Sequence, residues 1–262
     1  MRTALQPAMQ HAQNKMCYAR WVHRKGSVER APYYPIFLDL CSRKVVVIGG
    51  GPVAERKVKT LLEAGARVTV VAPDATAALQ RWDAGKKLRW LARKYRASDL
   101  NGAILVFSAT DRPEIERQVA AAAVRRGIPV NSAGKPESGT FLVPARAQRG
   151  RLQIAVSTGG ASPALARSLA QQLKKWIGPE YAEWTRLLAR LRPRIVKSVA
   201  PENRPRLLEQ LTDSKILRLL RQGRQQEAVE VAERLMQRGQ LKPPQRRSNK
   251  KATVARLPAR RS

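Results

Sequence analysis

Cysteine is nearly missing from these 262 residues: Cys17 and Cys41 are the two present, and their spacing suits neither a metal clip nor a disulfide framework. A scaffold stapled by covalent cross-links is therefore excluded, and a reducing, cytoplasmic setting is expected. Aromatic residues are scarce, 5% against a hydrophobic fraction of 43%, so a core has to be built from aliphatic side chains and alanine, which suits packed α/β layers. No apolar run approaches the roughly 18 residues that cross a bilayer, and the first 33 residues hold no secretory apolar stretch. No membrane association is expected.

Acidic residues are also few. Nineteen Asp and Glu stand against 51 Lys and Arg, a formal net charge of +32, and such a surface attracts polyanions. From 241 to 262 acids are absent altogether, while Lys242, Arg246, Arg247, Lys250, Lys251, Arg256, Arg260 and Arg261 alternate with prolines. This reads as a disordered basic tail. Residues 1–33 read as a basic N-terminal extension. No helix-turn-helix or zinc-ligand spacing accompanies the charge, and Trp82, Trp90, Trp176 and Trp184 read as packing residues, so no specific nucleic-acid partner is expected.

What is present is an alternation of short β-branched runs and amphipathic stretches. Lys44-Val45-Val46-Val47-Ile48 reads as a buried parallel strand, 53–64 as a helix closed by Gly65, and 67–71 as the next strand. Further strands are expected at 88–91, 103–107 and 128–130, with a helix over 113–126 between the last two. Extended runs follow at 140–143 and 152–156, and Ser162-Pro163 opens a helix with Leu165, Leu169 and Leu173 as its apolar stripe. Beyond Gly178 helices are expected near 180–199, 205–220 and 227–238. The fold class is a Rossmann-like, doubly wound α/β sheet over 34–145, then a dimerisation segment over 146–176 and a helical domain over 177–240.

Gly49-Gly50-Gly51-Pro52-Val53-Ala54 fits G-x-G-x-x-A between a strand and a helix. The first glycine permits the tight turn, Gly51 lets the backbone approach a pyrophosphate, and Ala54 lets the helix pack on the strand. The helix N-terminus adds amide donors and partial positive charge. Gly49, Gly50, Gly51, Pro52, Val53, Pro73, Asp74 and Thr110 are the expected contacts of an NAD cofactor. Asp74 either meets the ribose or begins the following helix.

YPIFLDL, VVVIGGGPVAERKVKTLLEAGARVTVVAP, FSATD and IAVSTGGASPALARSLAQQL together resemble the siroheme synthase N-terminal family, whose members are precorrin-2 dehydrogenases and often sirohydrochlorin ferrochelatases. The resemblance covers about 34–199, more weakly to 238. It implies NAD-dependent oxidation of precorrin-2 to sirohydrochlorin, a tetrapyrrole substrate, and a homodimer whose helices exchange across the interface. The methyltransferase half of fused synthases has no counterpart in these residues, so precorrin-2 is expected from another protein. The family's N-V-V-D strand ending, whose aspartate is thought to serve both reactions, corresponds here to Asn131-Ser132-Ala133-Gly134.

With glycine at that position, Asp111 and Glu137 are the candidate catalytic carboxylates, each with an alternative reading as a helix cap or turn residue. Dehydrogenation without a dedicated base is a further alternative. Ferrochelation is expected to be weak or absent, since His11 and His23 both lie outside the matched region, and no metal ligand is assigned. Ser157, Thr158, Gly159 and Ser162 are candidate contacts for substrate carboxylates at a helix N-terminus. Arg146, Arg149, Arg151 and Arg167 either attract the polycarboxylate or are solvated surface charges. The alternative to an enzyme is a protein of the same fold that binds NAD or a tetrapyrrole without turnover.

Overall fold

The computed structural model describes residues 33–134 and 138–240, which fall into two compact units, 1–143 with 158–162 and 144–157 with 163–262. The two basic termini and Glu137 lie outside the described residues.

In the first unit β1 (Lys44–Ile48), β2 (Arg67–Val71), β3 (Arg89–Leu91), β4 (Leu105–Ser108) and β5 (Val130–Ser132) form a parallel sheet of order β3-β2-β1-β4-β5. Helices α1 (Pro52–Glu63), α2 (Ala77–Ala84) and α3 (Pro113–Arg125) make the crossovers, with a 3₁₀ turn at Ala97–Leu100 leading into β4. The valines of β1 explain the continuous apolar run. Val45 and Val47 pack with Ala54, Val58 and Leu79 on one face, whereas Val46 and Ile48 pack with Val106, Val119 and Val130 on the other. Both faces are covered, so no polar alternation is possible. The chain reverses direction of travel between β1 and β4, and ligands of open α/β sheets collect outside the carboxyl ends at such a point.

Several elements differ from the sequence expectation. Strand β5 starts at Val130 because the Ile128 amide donates to the Ala123 carbonyl and completes the end of α3, with Gly127 at φ 66°. The 140–143 run forms no ladder among the described residues. It is tied to β5 by the Thr140 amide on the Val130 carbonyl and by the Thr140 hydroxyl, which accepts from the Val130 amide. Helix α2, expected after Asp74 without bounds, is capped by Thr76, whose hydroxyl accepts from Leu79.

The second unit opens with an antiparallel hairpin of β6 (Ala145–Arg149) and β7 (Leu152–Val156), followed by α4 (Pro163–Trp176). Strand β6 escapes sequence reading because its one fully buried side chain is Ala147. Helices α5 (Glu180–Ser198), α6 (Arg204–Leu211), α7 (Ser214–Arg221) and α8 (Gln225–Gln240) close a core of Leu187, Leu191, Ile195, Leu207, Leu211 and Ile216. The single helix expected over 205–220 is two, since the Asp213 carboxylate accepts from the Lys215 amide at 2.8 Å and starts a new helix. The Leu165 and Leu169 stripe of α4 is exposed, and Ala166 and Ala170 are the buried residues. Trp82, Trp90 and Trp184 pack as expected, while Trp176 is exposed.

Candidate functional site

The turn after β1 divides its three glycines between two tasks. Gly49 has φ 119°, and a Cβ there would strike the Ala109 carbonyl; a Cβ on Gly50 would strike the Asp74 carbonyl. These two glycines let the loops after β4 and β2 close against the turn, and the Thr76 amide donates to the Gly50 carbonyl at 2.9 Å. Gly51 has nothing within 4 Å of a Cβ position. It caps α1 without a side-chain bond, and Pro52 fills the first helical position. Val53 is exposed beside it and Ala54 is fully buried. Open space, a helix N-terminus and a carboxyl sheet edge suit a pyrophosphate; the residues present fit a dinucleotide.

Pro73 and Asp74 are exposed just beyond β2. Because Thr76 caps α2, the reading of Asp74 as the start of that helix does not hold. Past β4, the Thr110 hydroxyl accepts from the Arg112 amide at 3.2 Å. Asp111 is exposed and is not the cap of α3, since Arg112 holds that position with no side-chain bond.

At the end of β5 the structure brings together residues far apart in sequence. Asn131 accepts at Oδ1 from Lys57 Nζ, 2.7 Å away, and donates from Nδ2 to the Phe141 carbonyl at 3.1 Å. Burial, with Arg56 nearby, lowers the Lys57 ammonium below the usual lysine range, and Nζ lies 5.1 Å from the Phe107 ring centroid. On the opposite face, the Gly134 amide donates to Glu116 Oε1 at 3.2 Å. Glu116, on α3, is buried. Its sequence signal was an acid at a position of α3 that faces the sheet, four residues after Arg112.

The turn between β7 and α4 is held by Thr158, whose hydroxyl accepts from the Ser162 amide at 2.9 Å. Gly159 and Gly160 follow with φ 65° and 95°, each with open space at the Cβ position. Ser157 ends the hairpin segment in the second unit. Arg149 is not available to a ligand: its guanidinium donates to the Ile177 and Lys174 carbonyls at the end of α4. Arg151, with Arg186 and Arg190 of α5, lines a groove of about 840 Å³ that also carries Glu183 and Glu230.

Comparison with known proteins matches residues 36–145 to a family described as putative NAD(P)-binding, 149–175 to a sirohaem biosynthesis protein central region, and 180–236 to a sirohaem synthase dimerisation region. The siroheme synthase of Thioalkalivibrio sulfidiphilus is 36% identical over 209 residues, covering 79% of this chain and 42% of that protein. That of Methylococcus capsulatus is 38% identical over 200 residues, covering 76% and 42%. The chain thus spans less than half the length of these relatives. A solved structure titled SirC, precorrin-2 dehydrogenase, superposes with a TM-score of 0.62 at 31% identity, over 77% of this chain and 100% of that one.

Proposed function

Since the chain belongs to the siroheme synthase family and spans a precorrin-2 dehydrogenase from end to end, we propose that it oxidises precorrin-2 to sirohydrochlorin with NAD as hydride acceptor. The observation that carries this reading is the glycine turn, closed by its own backbone at Gly49 and Gly50 and open at Gly51. When bound, the nicotinamide supplies the two-electron acceptor. In this reading Gly49, Gly50, Gly51, Pro52 and Val53 hold the pyrophosphate, Thr110 borders the nicotinamide half, and Pro73 and Asp74 border the adenosine ribose. A carboxylate beside the ribose favours NAD over NADP, because it accepts from a 2′-hydroxyl and repels a 2′-phosphate.

Ser157, Thr158, Gly159 and Ser162 take substrate carboxylates. Asp111, on the exposed loop after β4, and Glu137 are the carboxylates that the sequence offers for the proton step, and a buried acid is weighed against them below. The division into a cofactor domain over 34–145, a dimerisation segment over 146–176 and a helical domain over 177–240 is part of the proposal, as are a homodimer, a cytoplasmic setting and weak or absent ferrochelation. The test mixes the purified chain with precorrin-2 and either dinucleotide. Expected are one NADH per sirohydrochlorin, a slower reaction with NADP, and iron insertion at the background rate. Nucleotide binding with no change in the tetrapyrrole spectrum would leave a binding protein of the same fold.

A further inference from the structure

Oxidation of a reduced macrocycle removes two hydrogens. One leaves its carbon with the bonding pair as hydride, reducing the nicotinamide; the other leaves as a proton, and a base placed to receive it accelerates that loss. Two acids are buried among the described residues, Asp99 and Glu116. Asp99 precedes β4, at the amino end of the sheet, and is held by a two-pronged bond from Arg93. Glu116 lies toward the N-terminal end of α3, which runs back from the carboxyl end of β4.

Three buried polar residues belong to the elements of that edge, Ser108 on β4, Ser132 on β5 and Glu116 on α3. Strand alternation puts Ser108 on the side of Val106, and Ser132 on the side of Val130, both within the core under α3. The two serines face each other in register, are 1% and 3% exposed, and their hydroxyls have no hydrogen-bond partner. A buried hydroxyl without a partner has lost its hydration with nothing in exchange, so a pair at one sheet edge calls for a reason. Glu116, 5% exposed, faces the same edge and accepts from the Gly134 amide. Gly134 is exposed, and a Cβ on it would lie 3.0 and 3.4 Å from the two Glu116 oxygens. The carboxylate therefore lies against the backbone of an exposed residue that carries no side chain of its own.

We infer that Glu116 receives the proton lost in the oxidation, reached past Gly134, at a sheet edge that also carries the buried hydroxyls of Ser108 and Ser132. This rests on the function proposed above. A proton moves from the macrocycle to a Glu116 oxygen as the hydride leaves, and the acid later returns it to water; atoms and charge balance as substrate plus NAD⁺ giving product, NADH and H⁺.

The experiment measures kcat, KM, melting temperature and the affinities for NAD and sirohydrochlorin in the full chain and in E116Q, E116A, D111N and the double variant E116A/G134D. Expected for E116Q is a fall in kcat of roughly 100- to 10,000-fold, with both affinities within about threefold of the parent, the scatter tolerated for an interaction made only in the transition state. The double variant moves the carboxylate onto residue 134 in the space that Glu116 vacates, and should recover about tenfold or more over E116A, a fraction of the acid–base contribution. Unchanged kcat in E116Q, a loss shared by affinity and melting temperature, no recovery in the double variant, or a loss confined to D111N would each overturn the assignment. A parent chain that binds NAD but leaves precorrin-2 unoxidised overturns the function itself, and the inference with it.

Discussion

A methyl group on Gly50 would meet the Asp74 carbonyl and one on Gly49 the Ala109 carbonyl, whereas one on Gly51 enters open space. The motif gives Gly49 the tight turn and expects all three at the cofactor; backbone packing shows that Gly49 and Gly50 are also required by the fold. Gly50→Ala should destabilise the first unit by about 1–3 kcal/mol or more, the usual cost of overpacking against rigid neighbours, seen as a lower urea midpoint. Gly51→Ala should leave that midpoint in place and weaken NADH binding, read by fluorescence titration, because its methyl occupies the space expected to hold the pyrophosphate. Equal loss of stability in both variants would contradict this division.

At the scale of elements, the 3₁₀ turn before β4 is fastened by Asp99. Burial pushes the Asp99 carboxyl up, but the Arg93 guanidinium and the Arg96 amide outweigh it and hold it below the usual carboxylate range. A carboxyl depressed in the folded state contributes stability that is present above its unfolded pKa, about 4, and is lost as pH falls through the lower folded value. Asp99→Asn should therefore be less stable than the parent at neutral pH, by about 1–3 kcal/mol for hydrogen bonds to a charged group. The gap should close on acidification below about pH 4, as urea unfolding at a series of pH values would measure. A gap independent of pH would mean that packing, not charge, sets the contribution.

For the whole molecule, α4 presents Leu165 at 51%, Leu169 at 39% and Trp176 at 66% exposure, all on one side by their spacing of four and seven residues. Such a stripe, in a chain whose 180–236 match a dimerisation region, is the expected contact between two copies. Leu165→Glu with Leu169→Glu should convert a dimer to a monomer in sedimentation velocity, while the helical core of α5 to α8, which does not include these residues, keeps its circular dichroism. An unchanged sedimentation coefficient would move the interface elsewhere.

The sequence by itself determined the parallel sheet, because strands buried on both faces need unbroken apolar runs and Lys44–Ile48 and Arg67–Val71 are such runs. It determined the glycine turn as well, since strand, glycines and helix are contiguous there. A strand of small and polar side chains was illegible, since β6 buries only an alanine, and the starts of α2 and α7 were not placed, because Thr76 and Asp213 are common residues whose capping role depends on where the chain turns. Tertiary structure alone decided that Lys57 meets Asn131 and that Glu116 lies under Gly134, 18 residues away. The reason is geometric. A motif of neighbouring residues is fixed by local backbone, but the carboxyl edge of a parallel sheet is assembled from crossovers, and its chemistry exists only once β4, α3 and β5 have packed.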